Sequence, residues 1–269
     1  MIYMFDTKGK HQADSLLAAV LGCPEDELSG RTGKQAPVIS IVGGGGKTTC
    51  LMTMAGEYRE RGIPSVVATT THMQMPFDEF LLDTEDMTAF EEKMAKEGQV
   101  WLGRRIDPQY RNPQILRDKS RSLSVGFVRQ VSAESGCPVL IEADGAKRLP
   151  CKVPADHEPV IIPETTVVVN VYGLDTLGRP FEETVFRPEL ACSLLCASPS
   201  DPVTEEDLTR LALMPQAGLK DVGGDMDYVV VFNKADTKDL KERGFKMAQI
   251  LVKKGVKRVL VTAGLNELV

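Results

Sequence analysis

The stretch Val38-Ile-Ser-Ile-Val-Gly-Gly-Gly-Gly-Lys-Thr-Thr49 runs from a mostly apolar segment into four glycines, a lysine and two threonines. The β-branched segment favours a strand, and the residues from about Lys47 favour the start of a helix. Glycines between the two let backbone N–H groups surround an anion without side-chain clash, and the lysine adds a cation. The stretch therefore predicts a strand, loop and helix that hold the phosphates of a nucleotide.

This phosphate loop is shorter than the most familiar one. The pattern G-x-x-x-x-G-K-[ST] requires a glycine where Ile41 stands, whereas the form G-x-x-G-K-T-T, which also occurs in Mur-type ligases, matches residues 43–49. A glycine-rich turn that binds nothing is the alternative. We expect the Thr48 hydroxyl to bind Mg²⁺. The residues expected to contact the nucleotide here are Gly43, Gly44, Gly45, Gly46, Lys47, Thr48 and Thr49.

Short apolar runs recur along the chain and alternate with segments of helical pattern. Strands this short and rich in valine and isoleucine, separated by helices, are typical of a mostly parallel sheet covered on both faces. The sequence therefore predicts an α/β fold, a three-layer P-loop NTPase-like domain over residues 37–269. The predicted strands are Val38–Val42, Ser65–Ala68, Val100–Leu102, Val139–Ile141, Val167–Tyr172, Tyr228–Phe232 and Val259–Val261.

The residues before this domain predict a separate element. A helix is expected around residues 11–21, and a polar linker follows it over residues 29–37. Residues 1–36 are therefore predicted to form an N-terminal helical appendage.

Composition narrows the class of partner and the compartment. The net charge of −6 argues against duplex DNA or an anionic membrane as the main partner. No apolar run approaches the ~20 residues that a spanning helix needs, and the N-terminus lacks a signal-peptide pattern. The six cysteines are scattered without a C-x-x-C pair, which favours free thiols in a reducing compartment. We expect a cytoplasmic protein that binds neither nucleic acid nor membranes.

Two acidic residues follow the fourth predicted strand. In a parallel sheet, ligands bind beyond the carboxyl ends of the strands, so Glu142 and Asp144 are candidate catalytic residues. We expect Asp144 to join Thr48 at Mg²⁺, Glu142 to act near the attacking water, and Gly145 to offer its N–H to the γ-phosphate. The cations that follow, at positions 147 and 148, either neutralise transition-state charge or are solvated surface residues.

The tetrapeptide Asn233-Lys-Ala-Asp236 follows the sixth predicted strand and has the form N-K-x-D. An aspartate carboxylate accepts two hydrogen bonds from the guanine N1–H and exocyclic amine, which adenine cannot offer in that arrangement. Asn233, Lys234 and Asp236 are therefore predicted to contact guanine. The alternative is a plain turn in which Asp236 caps the helix that begins near Thr237.

Three further groups carry hydroxyls, thiols or imidazoles. The run Thr69-Thr-Thr-His-Met73 ends the second predicted strand, and Thr70 is a candidate second Mg²⁺ ligand, with β-branched residues that merely finish the strand as the alternative. The loop from Cys151 to Glu158 either binds a soft metal through Cys151 and His157 or is a structural loop packed by its prolines. Cys192 and Cys196 are expected on one helix face, as small core residues rather than metal ligands.

Taken together, these motifs resemble the YqeC family of accessory proteins for selenium-dependent molybdenum hydroxylases. The specific part of the resemblance is the run Glu-Ala-Asp-Gly-Ala-Lys-Arg-Leu-Pro-Cys-Lys-Val-Pro-Ala-Asp-His-Glu-Pro over residues 142–159. The resemblance implies a P-loop protein that acts in maturing a molybdenum enzyme, by handling selenium, molybdenum or its cofactor. The segment Glu142-x-x-Gly145 is also similar to that of GTPases that assemble metalloenzymes, which implies a homodimer.

The resulting hypothesis is a Mg²⁺-dependent nucleoside triphosphatase, with GTP favoured over ATP, whose partner is a molybdenum hydroxylase or its cofactor-handling machinery. Lys47, Glu142 and Asp144 are its predicted catalytic residues. Two alternatives use the same phosphate loop. One is an ATP-dependent ligase or kinase that acts on a small substrate, and the other is a nucleotide-binding scaffold that does not hydrolyse its ligand.

Overall fold

The computed structural model of the chain describes residues 1–74, 79–105 and 119–265. Each of the seven predicted apolar runs forms a strand in it. The strands are β1 (Ile2–Asp6), β2 (Gly9–Ala13), β3 (Val38–Gly43), β4 (Ser65–Thr69), β5 (His72–Gln74), β6 (Leu81–Leu82), β7 (Gln99–Leu102), β8 (Arg104–Arg105), β9 (Lys119–Arg121), β10 (Val139–Glu142), β11 (Cys151–Lys152), β12 (Val167–Gly173), β13 (Val185–Phe186), β14 (Asp227–Asn233) and β15 (Arg258–Thr262). The α-helices are α1 (Leu16–Leu21), α2 (Lys47–Glu60), α3 (Met87–Glu97), α4 (Val125–Glu134), α5 (Phe181–Thr184), α6 (Pro188–Leu195), α7 (Glu205–Leu213) and α8 (Lys238–Lys253).

Within the described residues, ten strands form one sheet in the order β2-β1-β15-β14-β12-β3-β10-β4-β7-β6. Neighbours from β15 to β6 are all parallel, whereas β1 is antiparallel to both β15 and β2. The predicted α/β class with a mostly parallel sheet is confirmed.

Helices cover both faces of this sheet. Because successive strand residues point to opposite faces, Ile41 packs in a cluster with α1 and α2, while Val42 packs in a second cluster with α3 and α4. A third cluster contains residues of α5 to α8 and lies on the same face as the second, since β12 contributes Val168 to one and Tyr172 to the other. The layers are therefore helices, sheet and helices. In the part of the chain described, no helix is both long and apolar enough to cross a membrane.

The prediction of a helical appendage is wrong for most of the N-terminal segment. Residues 2–13 form the β1–β2 hairpin, and β1 pairs along β15, so one continuous sheet crosses the predicted boundary at residue 36. The Asp6 carboxylate closes the hairpin turn by accepting the N–H groups of Lys8 at 2.7 Å and Gly9 at 3.1 Å. The predicted helix holds only for α1, whose six residues are all buried.

The sheet topology sets the place where the motifs meet. Four parallel strands are consecutive in the sheet, in the order β14-β12-β3-β10. Their carboxyl ends therefore lie at one edge. Helix α2 begins at that edge, directly after the glycines that follow β3.

Candidate functional site

The glycines after β3 adopt backbone conformations that other residues rarely take. Gly43, Gly45 and Gly46 have φ angles of 95°, 67° and 116°. The fit is also tight, because a Cβ atom on Gly45 would lie 2.0 Å from the backbone nitrogen of Gly173. The loop between strand and helix therefore requires glycine for both its dihedral angles and its packing.

Most of the loop amides are bonded to protein oxygens. For Gly45 to bind phosphate as predicted, its N–H must exchange a protein carbonyl for a phosphate oxygen. The predicted phosphate contacts of Gly43 to Gly45 stay predictions. The three bonds are Gly43 to Asp144 Oδ2 (3.2 Å), Gly44 to the Val171 carbonyl (2.9 Å) and Gly45 to the Leu149 carbonyl (3.1 Å).

The N-terminus of α2 differs from this part of the loop. Gly46 is its N-cap and makes no side-chain cap hydrogen bond. The first helical turn contains Thr48 and Thr49, and the helix dipole places partial positive charge at this end of α2. This end of the helix is suited to an anion.

Lys47 lies buried beneath the loop. Its Nζ donates to the Gly43 carbonyl at 2.7 Å and lies 3.1 Å from Oδ1 of Asp144. The second contact is an ion pair without hydrogen-bond geometry, so Oδ1 of Asp144 is a buried oxygen that accepts no hydrogen bond. The Lys47 ammonium group balances the charge of this oxygen, so a metal ion could bind the oxygen only in exchange for Lys47.

Glu142 stands beside the hydroxyl that the sequence assigns to Mg²⁺. The Thr48 hydroxyl donates to Oε2 of Glu142 at 2.9 Å. Burial raises the pKa of Glu142, while the charge of Lys47 and the hydrogen bond from Thr48 oppose the rise. The structure thus brings together Lys47, Thr48, Glu142 and Asp144, the four residues expected to carry the chemistry.

Lys152 is a member of this cluster that sequence reasoning did not single out. Its side chain is fully buried, and its Nζ contacts the Gly145 carbonyl at 2.7 Å, Asp144 Oδ2 at 3.1 Å and Glu158 Oε2 at 2.8 Å. A lysine between a cysteine and a valine in a proline-bounded loop was the only available signal. Gly145, expected at the γ-phosphate, is held through its carbonyl by this lysine.

The predicted guanine motif lies at the same edge and contacts the loop. Asn233 donates from Nδ2 to the Gly45 carbonyl at 2.9 Å and accepts from the Thr262 hydroxyl at 2.9 Å. Lys234 forms an ion pair with Asp175 at 2.7 Å. The alternative in which Asp236 caps α8 is wrong, since the N-cap is Thr237 and Asp236 accepts the Gly264 N–H instead, at 3.1 Å.

Comparison with known proteins identifies the family. A family model described as YqeC protein matches residues 39–189. A protein described as uncharacterized protein YqeC, from Escherichia coli (strain K12), is 30% identical over 191 residues, which cover 70% of this chain and 72% of that relative. The chain belongs to the YqeC protein family.

The region that matches the YqeC model contains the phosphate loop, both acidic residues and Lys152. It ends before Asn233, so the predicted guanine motif lies outside it. The buried charged cluster is therefore within the part of this YqeC protein that the family model describes.

The remaining candidates are less directly placed at the cluster. The Thr70 N–H donates to the Glu142 carbonyl at 3.1 Å, but its hydroxyl donates to the Val160 carbonyl at 3.2 Å. Its predicted role as a Mg²⁺ ligand stays a prediction. The side chain of His72 lies outside the described residues.

The cysteines do not form the arrangement that a metal would need. Cys151 is buried, which raises its pKa to about 12, whereas His157 is exposed. Helix α6 ends at Leu195, so Cys196 is an exposed C-cap and does not share a face with the buried Cys192, contrary to expectation. Over residues 1–74, 79–105 and 119–265, no group of three or more His, Cys, Asp or Glu side chains could hold a metal ion.

A groove of about 640 Å³ lies away from this cluster, between the N-terminal hairpin and α1. Its lining includes Lys257 and Arg258 at the amino end of β15, which is the opposite edge from the carboxyl ends of the parallel strands. Both cations form ion pairs with Asp227. The charged candidates of the phosphate loop therefore do not line this groove.

Proposed function

We propose that this YqeC family protein binds and hydrolyses a Mg²⁺–nucleoside triphosphate, with GTP preferred over ATP, during maturation of a selenium-dependent molybdenum hydroxylase. The observation that carries the proposal is the meeting, at one edge of the sheet, of a buried lysine, a buried carboxylate with one oxygen that accepts no hydrogen bond, and the N-terminus of α2. The lysine and the helix end suit phosphate, and the carboxylate suits the accompanying cation.

The residues present fit Mg²⁺ bound together with nucleotide. Magnesium prefers oxygen ligands and is commonly held by one or two protein groups plus substrate phosphates. Asp144 Oδ1 accepts no hydrogen bond, and the Thr48 hydroxyl lies within the same cluster. These two oxygens would hold the ion, which would neutralise charge on the phosphates.

The other residues of the cluster divide the remaining work. Lys47 would turn from Asp144 toward the phosphates, and the first turn of α2 would donate its N–H groups to them. Glu142 has a raised pKa, which suits a carboxyl group that accepts a proton from water near neutral pH. The Leu149 carbonyl would leave the Gly45 N–H when phosphate binds.

Guanine selection is assigned to Asp236. Asn233 ties the motif to the phosphate loop, so a base near Asp236 and phosphates at α2 can belong to one ligand. The hydroxylase as client, and a homodimeric state, follow from the family resemblance.

The direct test is the affinity of Lys47→Ala for GTP and ATP, measured by isothermal titration with Mg²⁺. We expect a loss of about 100-fold, or roughly 3 kcal/mol, because a buried charge-assisted contact to phosphate disappears. Lys96→Ala is the matched control, since that lysine is 80% exposed on α3. Full affinity of Lys47→Ala for nucleotide would overturn the proposal.

A second candidate function is an ATP-dependent ligase or kinase. It is favoured by the loop itself, because the shorter glycine pattern is the one that Mur-type ligases share. Phosphate release that requires an added small acceptor would select this candidate. Release with GTP alone would select the triphosphatase.

A further inference from the structure

Lys152 is the most deeply buried cation at the site, and it makes one hydrogen bond and two ion pairs. Its side chain has no exposed surface, and three acceptors surround its ammonium group: the Gly145 carbonyl, Asp144 Oδ2 and Glu158 Oε2. Burying an ammonium group costs several kcal/mol unless such partners compensate. The charge of Lys152 therefore faces the carboxylates of Asp144 and Glu158 and not solvent.

The two oxygens of Asp144 are in different surroundings. Oδ2 accepts the Gly43 N–H at 3.2 Å and lies 3.1 Å from Lys152. Oδ1 accepts no hydrogen bond and lies 3.1 Å from Lys47. The carboxylate is therefore held by one oxygen, and the other is directed to the side where Lys47 lies.

This division matters once Lys47 turns to phosphate. Asp144 then loses the cation beside Oδ1, while Lys152 remains beside Oδ2. Without Lys152, Asp144 would compete more strongly with phosphate for Lys47, and the Gly43 N–H would hold Oδ2 without a neighbouring cation. Lys152 itself is held in place from the far side, because Glu158 also pairs with Arg187 at 2.6 Å.

We propose that Lys152 is a positioning residue that fixes Asp144 by Oδ2, so that Oδ1 is presented to the cation bound with the nucleotide. The effect on the bound cation rests on the proposed function. The positioning of Asp144 by Lys152 does not, and it can be measured in the protein without nucleotide. The two parts are tested separately.

The geometric part is tested by amide hydrogen exchange, measured by NMR without nucleotide. In Lys152→Met, which keeps the length and removes the charge, we expect the Gly43 amide to exchange about tenfold faster because Asp144 Oδ2 no longer stays on it. The Gly44 amide is the internal control, since its acceptor is the Val171 carbonyl. Lys152→Gln is a second variant in case the methionine variant fails to fold. Unchanged exchange at Gly43 in a folded variant would overturn the proposal.

The functional part is tested by the gain in GTP affinity that Mg²⁺ produces, measured as the ratio of Kd in EDTA to Kd in Mg²⁺. Loss of a residue that orients a metal ligand commonly costs 10–100-fold in metal affinity, so we expect Lys152→Met to lower this ratio about tenfold. Kd in EDTA should change much less.

A double-mutant cycle with Asp144→Asn separates positioning from a general structural role. If Lys152 acts through Asp144, adding Lys152→Met to Asp144→Asn should lower the ratio no further. Additive losses would overturn the proposal. If the unmodified protein binds no nucleotide, the proposed function fails, and exchange at Gly43 alone decides whether Lys152 positions Asp144.

Discussion

The proposed phosphate end of the site, around Lys47, and its proposed base end, around Asn233, differ in how their polar groups are paired. At the phosphate end, around Lys47, charged groups are buried against one another, and Asp144 retains an oxygen without a hydrogen bond. At the base end, Asn233 and Lys234 are already engaged by protein partners. The proposed phosphate end thus keeps one buried acceptor, Asp144 Oδ1, without a hydrogen bond, while Asn233 and Lys234 of the N-K-x-D motif make their contacts within the protein.

Gly45 connects the two ends. Its carbonyl accepts from Asn233 of the base end, and its N–H donates to the Leu149 carbonyl near the phosphate end. Any change in the loop at this position should disturb both ends, whereas changes within one end should leave the other intact. Variants at Gly45 and within each end can therefore test whether the two ends depend on each other.

The largest effect is expected from Gly45→Ala. Its φ of 67° and a Cβ only 2.0 Å from the Gly173 nitrogen combine backbone strain with a clash against backbone atoms. We expect the free energy of unfolding to fall by roughly 3 kcal/mol or more, which lowers Tm by roughly 6–12 °C. Calorimetry measures the change. Gly145→Ala is the control, expected within about 0.5 kcal/mol, because no atom lies within 4 Å of the added Cβ. Equal melting temperatures for the two variants would contradict the link through Gly45.

A smaller effect, confined to the base end, is expected from Asp236→Asn. Its amide oxygen can still accept the Gly264 N–H, so the loop should keep its shape, but the charge that favours guanine is lost. We expect GTP affinity to fall about tenfold, which is about 1.4 kcal/mol, with ATP affinity unchanged. Competition titrations with both nucleotides measure this.

Asp239→Asn is the matched control, since that carboxylate is 76% exposed in the first turn of α8, shortly after Asp236. If affinity for both nucleotides falls together in Asp236→Asn, the base end does not read guanine. The whole N-K-x-D motif would then have a structural role.

The sheet could be predicted from the sequence because its central strands have a recognisable residue pattern. Runs such as Val167–Tyr172 are rich in β-branched residues and buried on both faces, so they stand out from polar surroundings. The second strand of the N-terminal hairpin, β2, carries no such pattern. All of β2 but Ala13 is exposed at the sheet edge, and the sequence Gly-Lys-His-Gln-Ala shows no apolar alternation.

The same contrast holds within the site. The meeting of Lys47 and Asp144 follows from a phosphate loop and an acidic strand end at one sheet edge. The contact of the Leu149 carbonyl with Gly45 could not be predicted, since a backbone carbonyl has no residue signature. Lys152 could not be predicted either, because its reach back to Gly145 depends on the path of the intervening loop.

The smallest effect tests the phosphate end alone, through Glu142→Gln. Burial raises the pKa of Glu142, against the opposing effects of Lys47 and Thr48, so ionising this carboxyl group costs stability in the folded protein. The stability that it contributes is complete below the pKa of the unfolded chain, about 4.3, and is lost as pH rises through the higher folded-state pKa. Glutamine does not ionise. We therefore expect the variant to match the parent near pH 4 and to exceed it at pH 8.

Each unit of raised pKa corresponds to about 1.4 kcal/mol, or roughly 3–6 °C in Tm, so melting curves across this pH range can resolve the gain. Glu205→Gln is the control of opposite sign. The hydrogen bond from Arg243 lowers the pKa of Glu205, so that its contribution is present at neutral pH and is lost on acidification. If Glu142→Gln were instead less stable than the parent at pH 8, the Thr48–Glu142 contact would depend on a stabilising charge. The proposed phosphate end would then resemble the proposed base end, because its polar groups would stabilise the fold.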